Sequence, residues 1–125
     1  MKSLFLFILI AASVTGMAQK KKRILIEAYD QVVTEAKKQL DEAMQAPEGE
    51  LYVFKTENDI SGKFTFDITI HEKGRVATVF VVENDAGSIQ SQNMLKDFMK
   101  DFRFWFKMPK GKDYKFQYVF DFNQS

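Results

Sequence analysis

The chain has 125 residues with 18 basic and 17 acidic side chains, so there is room for one core and almost no net charge. That balance argues against general nucleic-acid binding, which needs a large cationic surplus to neutralise phosphates. Cysteine is absent, so no disulfide can staple the fold; 13 phenylalanines, four tyrosines and one tryptophan supply apolar area instead. Each buried ring contributes roughly 1.5–3 kcal/mol before entropy is subtracted.

Lys2, the largely apolar run 4–14 and the small residues Gly16 and Ala18 read as a signal peptide cut after Ala18. The run is too short for a comfortable membrane span of ~20 residues. Lys20, Lys21, Lys22 and Arg23 follow it directly, and such charges resist export, which leaves an uncleaved anchor as the alternative. No cysteine follows the small residues, so a lipoprotein is excluded. Loss of residues 1–18 takes away Lys2 and no acid, leaving 17 charges of each sign. Residues 19–125 are expected to form one domain in the periplasm.

Residues 24–46 read as a long helix. Leu25, Tyr29, Val32, Ala36, Leu40 and Ala43 fall three or four apart, on one stripe. Pro47 and Gly49 end it. Residues 51–56 are a short strand candidate. Phe64, Phe66, Ile68 and Ile70 then alternate with polar residues, Gly74 turns the chain, and 75–83 returns as a second strand. Ser88 is a good N-cap for a helix over 89–101, with Ser91, Leu95, Phe98 and Phe102 on one side. Phe102, Phe104 and Phe106 favour an extended segment up to Pro109. Tyr114, Phe116, Tyr118, Phe120 and Phe122 mark a last strand over 114–122. The fold expected is α+β: an antiparallel sheet of three to five strands, with the long N-terminal helix and a second helix packed on one face.

Parts for catalysis are scarce. His71 is the lone histidine, at a strand end beside a turn, and reads as a surface residue. With no cysteine and one histidine, the ligand sets of the common transition-metal sites are incomplete. The glycines at 62, 74, 87 and 111 sit at element boundaries and not in a phosphate-binding loop. Glu83 with Asp85, and Asp97 with Asp101, are carboxylate pairs, but Lys96, Lys100 and Arg103 surround the second pair, as on a solvated helix face. The sequon at 123–125 is a chance-level match. Neither an enzyme nor a cofactor or metal is expected.

Residues 62–122 resemble the C-terminal domain of TonB and TonB-like proteins. The resemblance is carried by the alternating strand after Gly62, the Gly74-Arg75-Val76 turn, the segment Phe104-Trp105-Phe106-Lys107-Met108-Pro109, and the final strand after Gly111. It implies a three-stranded antiparallel sheet with helices on one face. It also implies a last strand exposed at an edge, which accepts an extended peptide from an outer-membrane transporter. The long proline-rich spacer of an energy transducer is missing: only 19–23 separate the apolar run from the helix, and the chain has two prolines.

The resulting expectation is an exported cell-envelope adaptor that docks a segment or sheet edge of a membrane or secretion component by strand addition. Lys115, Gln117, Val119 and Asp121, the outward positions of the last strand, are the candidate partner-binding residues. Arg103, Lys107, Lys110 and Lys112 form a secondary surface. The partner expected is an envelope protein, with a homodimer through a sheet edge as a further arrangement. A carrier of apolar ligands beneath the long helix and a proteinaceous inhibitor are the alternatives.

Overall fold

A computed structural model describes residues 24–123. The expected signal peptide and the basic cluster 20–23 lie outside the described residues. The elements are strand β1 (Ile24–Leu25), helices α1 (Tyr29–Ala43) and α2 (Glu50–Asn58), strands β2 (Lys63–Ile70) and β3 (Val76–Asp85), helix α3 (Ile89–Asp101), and strands β4 (Phe106–Lys107) and β5 (Tyr114–Asp121). The fold is α+β. Three antiparallel strands form the main sheet in the order β3-β2-β5, and β1 and β4 make a separate parallel pair.

The long helix expected over 24–46 is shorter, 15 residues. Val32, Ala36, Leu40 and Ala43 are buried as the stripe requires, whereas Leu25 and Tyr29 are exposed. Ile24 and Leu25 belong instead to β1, and the Ile26 N–H continues the pairing by donating to the Lys107 carbonyl at 2.8 Å. Apolar and β-branched residues suit an extended chain wherever a partner strand is at hand, and tertiary pairing here overrides the helical period. The strand expected over 51–56 is also corrected: α2 covers it, burying Leu51 and ending at Asp59 in the left-handed conformation. Six residues rich in apolar side chains do not separate helix from strand by pattern alone.

The sheet follows its alternation closely. Phe64, Phe66, Ile68 and Ile70 of β2 are fully buried, and β5 sends Phe116 and Phe120 to the same core, with Phe122 just beyond it. α1 lies against β5 and α3 against β3, and Val32, Leu40, Leu95 and Met99 join the strand residues in one cluster. Ser88 caps α3 as expected, its hydroxyl accepting the Ser91 N–H at 2.9 Å. The buried stripe of α3 is Ser91, Leu95 and Met99, with Phe98 half-buried against Phe54.

Between α3 and β5 the chain is extended, with Phe102, Phe104, Phe106 and Met108 inside and Arg103, Trp105 and Lys107 outside. This segment runs beside the β2–β3 turn. The Phe104 N–H donates to the Gly74 carbonyl at 2.8 Å, and the Met108 N–H to the Glu72 carbonyl at 2.7 Å.

Tyr118 fastens β5 to α1: its hydroxyl donates to the Asp41 carboxylate at 2.5 Å. Burial, and then the hydrogen bond and charge of Asp41, push its pKa well above the usual tyrosine value of 10. A tyrosine whose folded pKa is raised adds stability that is complete below the unfolded pKa and is lost as pH rises from there toward the folded value. Urea denaturation between pH 7 and 11 should therefore show stability falling above pH ~10. Tyr118→Phe should flatten that fall, and an identical alkaline slope in both proteins would refute the assignment.

Candidate functional site

β5 is the outer strand on one side of the sheet, and its pairing with β2 fixes which backbone groups point away. The Phe122 N–H donates to the Gly62 carbonyl at 2.9 Å, so 62 and 122 are a hydrogen-bonded pair. The register is unbroken from Lys63↔Asp121 to Ile70↔Tyr114. In an antiparallel ladder such pairs alternate, so the even-numbered residues of β5 bond to β2. The N–H and C=O groups of Lys115, Gln117, Val119 and Asp121 therefore face outward. These are the four residues expected from the sequence.

Their side chains occupy the sheet face that no helix covers. Lys115, Gln117 and Val119 are exposed, and Asp121 is half-buried. The Gln117 amide donates to Asp67 across the strands at 3.1 Å. Asp121 stands opposite Lys63, and its carboxylate accepts the Asn123 N–H at 3.0 Å. Phe80 of β3 is on the same open face, opposite Asp67, and is 70% exposed.

The outward carbonyl of Lys115 is engaged. The Tyr29 hydroxyl, at the start of α1, donates to the Lys115 carbonyl at 2.7 Å, and the Tyr29 ring stands edge-on to Tyr114 at 5.3 Å. Sequence periodicity placed Tyr29 on the buried stripe, and nothing in the pattern marks it as a contact of the sheet edge.

The opposite edge is built differently. β3 carries two irregularities against β2, between Thr65 and Phe66 and between Thr69 and Ile70. Its approach is covered where Arg75 pairs with Arg103. Bulges twist an edge away from regular pairing, so β3 is a poor template and β5 a good one.

No family model, curated protein or solved structure matches this chain. The site therefore rests on geometry alone.

The secondary surface divides in two. Arg103 and Lys107 are exposed on the extended segment, and Lys110 and Lys112 are exposed in the loop leading into β5. That loop is tied to the β2–β3 turn. The Gly111 N–H donates to Glu72 at 3.0 Å, and His71 meets Asp113 through Nδ1, with Glu72 3.8 Å from Nε2. His71, partly exposed at the strand end, thus clasps the two turns together. Among the described residues no three His, Cys, Asp or Glu side chains are grouped to hold a metal ion, and no helix is long and apolar enough to cross a membrane.

Proposed function

We propose that this chain is an exported binding module of the cell envelope, docking an extended segment of a membrane or secretion protein as an added strand beside β5. The observation that carries the reading is the unbroken β5 register, which leaves the outward N–H and C=O groups of Gln117 and Val119 in line along the outer side of the strand. Main-chain bonds supply affinity in strand addition, and side chains on the neighbouring face supply selectivity. Export is supported by residues 1–18, whose basic start, apolar run and small residues suit a cleaved signal. The edge is preferred to an apolar-ligand site because Phe116, Phe120 and Phe122 are consumed by the core.

The test compares capture from solubilised envelope by the parent chain and by Val119→Pro, followed by titration of whatever protein is identified. Proline removes one outward N–H and resists pairing. Since β5 bonds to β2 through its even residues, Val119→Pro spares that ladder and should keep the fold, which circular dichroism checks. Affinity should drop at least ~10-fold, whereas Lys115→Ala, Gln117→Ala and Asp121→Ala each cost less than ~5-fold, about one ordinary hydrogen bond. Unchanged capture by folded Val119→Pro would move the site to Arg103, Lys107, Lys110 and Lys112.

A further inference from the structure

A groove opens where the end of α1, the start of α2 and the extended segment after α3 come together. It holds about 550 Å³, and Ile24, Phe102 and Trp105 give it apolar walls. Around them stand Glu35, Glu42, Glu48 and Glu50, four carboxylates against the one guanidinium of Arg103 among the described lining residues. We infer that this groove seats the chain's own basic run, Lys20, Lys21, Lys22 and Arg23, with its cations on Glu42, Glu48 and Glu50. The inference is separate from the β5 edge and does not depend on what docks there.

Two observations name that occupant. The first is direction. β1 and β4 are parallel, with Ile24 beside Phe106 and Leu25 beside Lys107. The chain leading into Ile24 is therefore directed from the side of Trp105 and Arg103, both of which line the groove. Four residues span at most about 14 Å, so the whole run stays within reach of the groove wall at Ile24.

The second is charge. Glu42, Glu48 and Glu50 are exposed, and none of them is ion-paired among the described residues. Asp41 and Glu42 fall in the last turn of α1, which has no basic residue. The free carbonyls at a helix C-terminus add partial negative charge, so acids there are unfavourable until a cation arrives. The seat is also preformed. The Trp105 main-chain N–H donates to Gln39 Oε1 at 2.8 Å, and the Gln39 amide donates to Glu35 at 3.1 Å, which holds the extended segment against α1. Free, four adjacent cations would draw the chain onto anionic lipid. Seated, they are neutralised within the protein.

Trp105 is the chain's single tryptophan and is 47% exposed, so its fluorescence reports on the groove alone. Acrylamide quenching is measured for the purified chain, for Lys20→Ser/Lys21→Ser/Lys22→Ser/Arg23→Ser, and for Glu42→Gln/Glu48→Gln/Glu50→Gln. The three glutamates are exposed, so glutamine there should keep the fold, which circular dichroism checks. Both variants should be quenched about twofold more readily than the parent at low salt, and about 1 M salt, with a screening length of ~3 Å, should remove the difference. Reversing one side, by Glu42→Lys/Glu48→Lys/Glu50→Lys or by Lys20→Glu/Lys21→Glu/Lys22→Glu/Arg23→Glu, should also expose Trp105. Reversing both sides together restores opposite signs and should return quenching to the parent's value. Vesicles of equal parts phosphatidylglycerol and phosphatidylcholine should bind the glutamine variant at least ~10-fold more tightly than the parent.

Equal quenching of the parent and the serine variant at low salt overturns the inference. So does a double reversal that is quenched like the single reversals, because the run then has no charge partner in the groove. If the parent binds the vesicles as tightly as the glutamine variant does, the run is free and anionic lipid is its occupant. None of these readouts involves β5, so their failure leaves the docking edge standing.

Discussion

Leu40→Asp should cost the protein on the order of 3–5 kcal/mol, a large fraction of the about 5–15 kcal/mol by which domains are ordinarily stable. Leu40 is completely buried on the stripe of α1 that faces the sheet. An ionised carboxylate there has no cationic partner in the cluster of buried residues, all of which are apolar. The group would be forced to take up a proton, and even the neutral acid would lack the hydrogen bonds water gives it. Leu40→Met keeps volume and apolarity and should cost less than ~1.5 kcal/mol. Urea denaturation of both variants separates burial from helix content, because α1 propensity changes little between leucine and methionine. If Leu40→Asp melts with the parent, α1 does not pack on the sheet in solution. An exposed α1 would then be a second docking surface.

Gly74→Ala should be the next most damaging change, at about 2–4 kcal/mol. Gly74 has φ +80, and a Cβ built there would stand 2.2 Å from the Phe104 carbonyl oxygen and 2.8 Å from that of Phe106. Both neighbours are main chain, so neither can swing aside. Relief would require the segment 102–108 to move away, breaking the bond from Phe104 N–H to Gly74 and drawing Phe104 and Phe106 out of the core. Gly111 is the internal control. Its φ is +79, yet nothing lies within 4 Å of an added Cβ. Gly111→Ala should therefore cost only the backbone term, ~1–2 kcal/mol. The two thermal melts together isolate the close approach, and equal losses would show that crowding at Gly74 contributes nothing.

What the sequence disclosed depended on whether a segment's pattern answered to one neighbour or to several. β2 and β5 read plainly, because a half-covered sheet forces strict alternation on Phe64 to Ile70 and on Phe116 to Phe122. α3 read plainly too, since Ser88 caps it through its own local hydrogen bond. α2 was misread because its apolar residues Leu51, Tyr52, Val53 and Phe54 are consecutive, with only Leu51 fully buried, so no helical stripe stands out. β1 was hidden for a different reason. Ile24 and Leu25 are extended only because Phe106 and Lys107, some 80 positions away, lie beside them. At the site, the outward set Lys115, Gln117, Val119 and Asp121 was legible as the polar phase of the alternation. Tyr29 was not, because its role is a single hydrogen bond between elements far apart in sequence.

The contrast between the two margins of the sheet sets how far association can proceed. A protein with two equivalent, regular margins can add copy after copy and grow into a fibre, since each addition exposes a fresh template. Here one margin is spoiled by the irregularities of β3 and by the Arg75–Arg103 pairing at its start. If a strand were added at the other margin, what remained on the outside would be β3. Strand addition on this sheet would thereby be limited to one partner. Repairing β3, by deleting Ala77 and Val82 to remove the extra residues, should turn that bounded assembly into an open-ended one.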